Sequence, residues 1–456
     1  MPLGRFFRGR QDEPAPDESQ DTDDVAGEEV ADESEPESVP PEWEASPGEI
    51  ELSWRARAAD AIPGGSSTGS KRASALYGDA NEHGPTHFTR ASGCRLVTPI
   101  ETTLIDCTMA LGSVAIGYAD ERIVRAAGSA AALGHVAGLA HTAEVELAER
   151  LCDLIPCAEQ VRFLKTGGDA MSAAVRLARA ATGRSTVVGC GYFGWHDWSS
   201  SAPGVTEGTR RDYHTVPFDD VPALESACGA AGRELAAVVL EPVIERLPSN
   251  EWLQAARRLC DELGAVLVFD EMKTGFRFAA GGYQAVSGVT PDLAAFGKAM
   301  ANGFPLAAVV GRRDVMMTAD RTWISSTLAG EAMSIAAALA VLDVFEEDDP
   351  CPDLARVGGA MRDAVAAAVA ASGVPGASVL GPDPMWLVRF EDPDIERRFL
   401  EESVREGVLF KRGAWNYAAL AHDEEATLIE IERAASSALV AVVDELSEPD
   451  QWAPPR

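Results

Sequence analysis

The 456-residue chain is short of the signatures that most quickly assign a function. Its eight cysteines stand at 94, 107, 152, 157, 190, 228, 260 and 351, without a CxxC pair or a His/Cys cluster at metal spacing. That excludes a zinc site of the usual spacing and gives no disulfide framework. They read as reduced core cysteines of a cytoplasmic protein. No apolar run reaches the roughly 18 residues that a membrane span needs, so no membrane association is expected. The opening MPLGRFFRGRQDEP holds no apolar stretch of signal-peptide length. A Gly-Lys-Ser/Thr phosphate loop is missing. Positive charge is scarce: the net charge is −33, and the body stays acidic without its N-terminus, which excludes a nucleic-acid groove.

The scarcity is extreme near the start. Gln11 to Glu49 carries sixteen Asp or Glu and no Lys or Arg. Such a segment, rich in Pro and Ser, cannot offset its ordering entropy by burial, so residues 1–48 read as a disordered acidic tail. Residues 86–106 alternate as a small antiparallel hairpin. Farther on, short apolar runs alternate with amphipathic helices. QVRFLK, STVVGCG, LAAVVLEPV, AVLVFDE, DLAAFG and AAVVGR read as strands. DAMSAAVRLARAATGR, VPALESACGAAGR and EWLQAARRLCDELG read as helices between them. Fully apolar strands alternating with helices predict a largely parallel sheet covered on both faces, an α/β architecture. The resulting organisation is a tail (1–48), a first part of a smaller α+β domain (49–119), a large domain (120–345), the rest of the small domain (346–445) and a flexible C-terminus (446–456).

Ligands of such sheets sit at the carboxyl ends of the strands, where three features converge. FLKTGGDAM places Thr166, Gly167 and Gly168 between a strand and a helix starting near Asp169, leaving bare N–H groups for an anion. By itself a Gly-Gly turn is usually only a turn. AVLVFDE ends five apolar residues on Asp270, which needs either an ion pair with an arginine such as Arg277 or a cationic ligand nitrogen. Lys298 is the one charged side chain between Asp292 and Arg312. It is either a lysine reaching the surface or a desolvated, neutral amine able to form a Schiff base. Phosphate cradle, carboxylate and amine together match the handles of pyridoxal phosphate. GCGYFGWHDW supplies aromatics, with Tyr192 as the plate against the ring or as part of an aromatic core, and His196 as an orienting or structural histidine.

IPGGSS, VFDEMKTGFR, GGYQAVSGVTPDLAAFGK, STLAGEAMSIAAALAVL and LAHDEE, in this order, closely resemble class III aminotransferases of fold type I, and within them the glutamate-1-semialdehyde 2,1-aminomutase branch. The resemblance implies a seven-stranded-type sheet in the large domain and a smaller α+β domain from both chain ends. It implies Lys298 as the Schiff-base lysine, Asp270 as the partner of the pyridine nitrogen and Tyr192 as the stacking residue. Thr166, Gly167 and Gly168 would hold the phosphate, and Thr327 would reach that of a neighbouring subunit in a homodimer. The substrate would be a small amino or keto acid, with Lys71, Arg72 and Arg412 as carboxylate clamps or as solvated surface charge. The chain departs from the family's Asn-Ser-Gly-Thr-Glu-Ala turn: Lys165-Thr166-Gly167-Gly168-Asp169-Ala170 lacks the second hydroxyl, which puts more of the grip on backbone. Intramolecular and intermolecular amino transfer share these residues. Racemisation, decarboxylation and an inactive scaffold are the remaining readings.

Overall fold

The computed structural model describes residues 46–79 and 84–446. Residues 1–45 of the expected tail and 447–456 of the expected C-terminal segment lie outside them. The tail boundary needs correction at its end. Pro47 and Gly48 belong to a helix, Pro47–Ala61, capped by Ser46, whose side chain and Glu49 form a reciprocal capping box. A Ser three residues before a Glu, with Pro at the first helical position, outweighs the acidic composition there. At the other end the last helix, Glu425–Leu446, takes in residue 446 as well.

The strands in chain order are β1 (Arg90–Ser92), β2 (Arg95–Val97), β3 (Thr103–Asp106), β4 (Gln160–Leu164), β5 (Thr186–Cys190), β6 (Tyr213–Thr215), β7 (Leu235–Leu240), β8 (Val266–Asp270), β9 (Leu293–Phe296), β10 (Ala307–Gly311), β11 (Ala377–Leu380), β12 (Met385–Phe390), β13 (Val408–Leu409) and β14 (Asn416–Tyr417). Seven form one sheet in the order β4-β10-β9-β8-β7-β5-β6. Only β10 is reversed, antiparallel to both neighbours. Its reversal follows from chain length: the link from Phe296 to Ala307 is too short for the helical crossover that a parallel neighbour requires.

Both faces of this sheet are buried, as the unbroken apolar strands require. Val187, Ala237, Val239, Val268 and Val309 pack with Ala170, Ala174 and Leu177 of the helix Gly167–Thr182. The alternate residues Val188, Val238, Leu267, Phe269 and Val310 share a core with Trp252, Cys260, Ile335, Val341 and Phe345 from the helices Asn250–Leu263 and Ala332–Glu347. Each fully buried large side chain here contributes roughly 1.5–3 kcal/mol. β6 was not legible as a strand, because its three residues hold no apolar run and two are exposed.

Two smaller sheets complete the architecture, β11-β12-β14 and β1-β2-β3-β13. In the second, β13 lies parallel to β3, so the chain's early hairpin pairs with a strand from its last fifth. Immediately after β3, Met109, Ala110, Leu111 and Gly112 all have positive φ, a left-handed turn. Three of them carry a Cβ, which costs roughly 1–2 kcal/mol each. Buried contacts hold the turn. Asp106 accepts from the Thr108 N–H at 2.7 Å and the Tyr118 hydroxyl at 2.6 Å. Arg277 donates to the Gly112 carbonyl at 3.2 Å.

Candidate active site

The parallel strands end together, and their last residues supply the site. Asp270 closes β8 opposite Ala295 of β9. Three residues beyond Ala295, the chain leaves the sheet into the turn that carries Lys298. That turn is strained: Lys298 has φ 49° and Asn302 φ 44°. Asn302 fixes it against the left-handed turn's far end, accepting from the Ala115 and Ile116 N–H groups at 3.1 Å and donating to the Gly117 carbonyl at 2.9 Å. Strain held this firmly is typical of sites where geometry serves function.

The ion-pair alternative for Asp270 does not hold. Arg277 is fully buried, but its guanidinium donates to the carbonyls of Ala418 at 2.6 Å, Pro384 at 3.4 Å and Gly112, and lies 4.9 Å from the Tyr417 ring centroid. The neighbouring acid, Glu271, is saturated by the Thr274 hydroxyl and the N–H groups of Tyr283 and Gln284. Asp270 receives one hydrogen bond, from the Met272 N–H at 3.0 Å on Oδ1. Its Oδ2 has no hydrogen-bond partner among the described residues. Burial, and then the Glu241 charge, push the Asp270 pKa up to about 7. The carboxylate therefore sits where a cation would be welcome.

Lys298 mirrors it. The side chain is partly buried and has no hydrogen bond or ion pair among the described residues. Desolvation first, and the Lys273 charge second, push its pKa down to about 8 against the opposing pull of Asp270 and Glu241. At pH 7 about a tenth of such amines are neutral, against about three in ten thousand ordinary lysines.

The phosphate turn differs from its expected form. The helix begins at Gly167, not near Asp169, so both glycines are its first turn. Thr166 is the N-cap: its hydroxyl accepts the Asp169 N–H at 3.2 Å, and Asp169 accepts the Thr166 N–H at 3.1 Å. This capping box was masked in the sequence by reading the glycines as a turn. The N–H groups of Gly167 and Gly168 are left for an anion. A side chain on Gly167 would come within 3.0 Å of Met272 Sδ, and one on Gly168 within 3.3 Å of His196 Nε2. His196 is tied down by the Ser172 hydroxyl at 2.7 Å. The cradle is thus a close gap between Met272, beside Asp270, and His196, which the two glycines leave unfilled. An unpartnered amine, a carboxylate with a free oxygen and this cradle fit pyridoxal phosphate.

The remaining candidates are dispersed. Tyr192 follows β5; its N–H donates to Glu241 at 3.1 Å and its ring is exposed. Thr327 is exposed and lines a cavity of about 530 Å³ with the loop Gly134–His141. Lys71 and Arg72 are exposed, near a cavity of about 460 Å³ lined by Ser70, Lys411 and Arg412. Arg412 pairs with Glu396 at 3.0 Å and donates to the Ser74 carbonyl at 3.0 Å. The two proposed clamp segments therefore meet, with the Arg412 charge already balanced. Sequence reasoning passed over Glu241, Lys273, Trp415 and Asn302. For Glu241 the signal was present: it follows the six apolar residues of β7 as Asp270 follows those of β8.

A family model described as Aminotransferase class-III matches residues 77–416. The chain is 36% identical over 363 residues to 2'-deamino-2'-hydroxyneamine transaminase of Streptomyces kanamyceticus, covering 79% of this chain and 92% of that one. It is 34% identical over 340 residues to glutamate-1-semialdehyde 2,1-aminomutase of Rhodopirellula baltica, covering 70% and 76%. The PLP form of the FumI protein of Sphingopyxis sp. MTA144 superposes with a TM-score of 0.82 at 29% identity, over 87% of this chain and 97% of that one. With the site's fit to the cofactor, these likenesses make the chain a member of the class III aminotransferases, fold type I enzymes that transfer amino groups with pyridoxal 5'-phosphate.

Proposed function

We propose that Lys298 is the amine that bonds the cofactor aldehyde, that Asp270 holds the ring nitrogen and that Thr166, Gly167 and Gly168 hold the phosphate. The observation that carries this is the pairing of an unpartnered Lys298 amine with the half-satisfied Asp270 carboxylate at the ends of adjacent strands. The cofactor supplies an electron sink for the carbon that loses a proton. The Lys298 amine, when free, would take that proton and give it back, as base and then acid. Asp270 keeps positive charge on the ring nitrogen. Tyr192, on the exposed lip after β5, serves as a face for the ring.

The substrates are a small amino compound and a small keto compound. Intramolecular and intermolecular transfer use these same residues, and Arg412, which spends its charge on Glu396, is not a free clamp for an amino-acid carboxylate in either. The intramolecular version predicts turnover without an added keto acceptor. Strict acceptor dependence supports the intermolecular version. For the residue roles, borohydride treatment of the coloured protein is expected to label position 298 alone; a label elsewhere, or none, sinks the assignment.

A homodimer and a reducing compartment such as the cytoplasm complete the proposal. Leu133, Leu139, Trp195 and Trp323 are large, apolar and exposed around the Thr327 cavity and the cradle, which supports burial against a second copy. All eight cysteines are unpaired, which supports the compartment. Sedimentation is expected to give twice the chain mass, and a monomer at micromolar concentration would remove the shared-site role of Thr327.

A further inference from the structure

Two charged side chains inside the site have no part in that scheme. Lys273 and Glu241 are 9% and 4% exposed and form an ion pair, Nζ to Oε2, at 2.5 Å. The Lys273 ammonium also lies 4.0 Å from the centroid of the Trp415 ring. Trp415 is itself anchored, its indole N–H donating to the Ile244 carbonyl at 3.0 Å. The other Glu241 oxygen accepts the Tyr192 N–H at 3.1 Å. Gly191 makes room for the carboxylate: its φ is 141°, and a Cβ there would sit 2.6 Å from Glu241 Cγ.

Such a buried pair is weak evidence for stability, since apolar residues of similar volume often serve as well. Its position suggests another use. Lys273 lies three residues past Asp270, and Glu241 directly follows β7, the strand next to β8. Two ammonium groups in one poorly solvated site repel each other, which weighs against the one with fewer partners. Lys273 has a carboxylate and an aromatic face. Lys298 has neither a hydrogen bond nor an ion pair among the described residues. The charges that act on Lys298 are Lys273 and Arg277, which oppose its protonation, and Asp270 and Glu241, which favour it.

We propose that Lys273, paired with Glu241 and lying against Trp415, is a positioning residue whose charge disfavours a second ammonium at Lys298 and so readies that amine to attack an aldehyde. The proposal rests on reading Lys298 as the attacking amine. It assigns Glu241 two opposed roles, fixing Lys273 and limiting the effect of its charge on Lys298.

The test follows the Lys298 amine in the full-length chain freed of cofactor. Reductive methylation with formaldehyde across about pH 6 to 11, with peptide mapping of position 298, gives a titration midpoint without turnover. Lys273→Met is expected to raise the midpoint by about one unit, a tenfold loss of neutral amine at pH 7. Lys273→Arg should leave it within about 0.3 unit, because charge and partners are kept. Glu241→Gln should lower it. If Lys273→Met fails to fold around a lone carboxylate, the double variant Lys273→Met/Glu241→Gln removes both charges. It should still raise the midpoint, by less than Lys273→Met, because the Lys273 influence exceeds that of Glu241. A wild-type midpoint in Lys273→Met or in the double variant overturns the proposal, as do equal shifts in Met and Arg variants, which mark a packing role. Borohydride labelling separates the two readings: these shifts with no cofactor at 298 would leave the tuning intact and remove only the Lys298 role.

Discussion

Replacing Lys298 with alanine is expected to cut amino transfer at least about a thousandfold, since a positioned acid–base group alone contributes roughly 10²–10⁴ and the covalent tether is lost as well. The measurement is single-turnover conversion of bound cofactor with an amine donor, with and without added methylamine as a stand-in base. Retention of more than about a tenth of the wild-type rate would remove Lys298 from the chemistry. Stability should move the opposite way. The folded-state pKa of about 8 lies below the ordinary value of 10.5. Between these values the unfolded chain holds a proton that the folded chain has released, so wild-type stability rises with pH across that window. The cost of the desolvated charge is fully present below pH 8. The alanine variant of the cofactor-free chain should therefore be more stable than wild type at pH 7, with the gain fading towards pH 10.5. A gain that persists at high pH would point to backbone or packing, not to charge.

Such opposed effects explain why the site is partly legible in the amino-acid sequence. Selection for chemistry leaves local violations of the burial rules, and Asp270 and Lys298 are violations written in one dimension: a carboxylate ending an apolar strand, and one ammonium in an apolar stretch. The strands from β4 to β10, except β6, were equally plain, because a sheet buried on both faces needs unbroken apolar runs. What stayed hidden depends on contacts between distant segments. Lys273 looks like a loop cation until Glu241, 32 positions earlier, and Trp415, 142 positions later, close around it. Arg277 looked like a partner for Asp270 because the two are close in sequence. In the fold its guanidinium reaches Gly112, Pro384 and Ala418 instead. The left-handed turn at 109–112 carries only one glycine, so its φ values follow from Asp106, Arg277 and Asn302 holding its neighbours, not from its own composition.

Asp270→Asn should be nearly as damaging as loss of Lys298, for a different reason. An asparagine keeps the shape and can accept the Met272 N–H, so the fold and the cradle beside Met272 should survive. It carries no charge, so it cannot hold a proton on a ring nitrogen, and electrostatic stabilisation of that kind is typically worth 10²–10³ in rate or more. We expect a loss of about a thousandfold in the proton-transfer step, with cofactor still bound, read by stopped-flow absorbance. Glutamate at 270 should recover only part, because its longer arm must reposition inside a fully buried site. An Asn variant within about tenfold of wild type would show that ring-nitrogen charge is not what this carboxylate provides. The pH signature is independent of rate. The Asp270 pKa in the cofactor-free chain, about 7, lies above the ordinary 3.8. The folded chain then holds a proton between these values that the unfolded chain has lost, so this group's stabilising contribution, complete below pH 3.8, is lost as pH rises through 7. The Asn variant should lack that decline. Cofactor binding should also remove it in wild type, because a cation against Oδ2 pulls the carboxyl back towards its ordinary range. Finding the decline abolished both by the mutation and by the cofactor would tie the stability of the empty site and the chemistry of the filled one to the same oxygen.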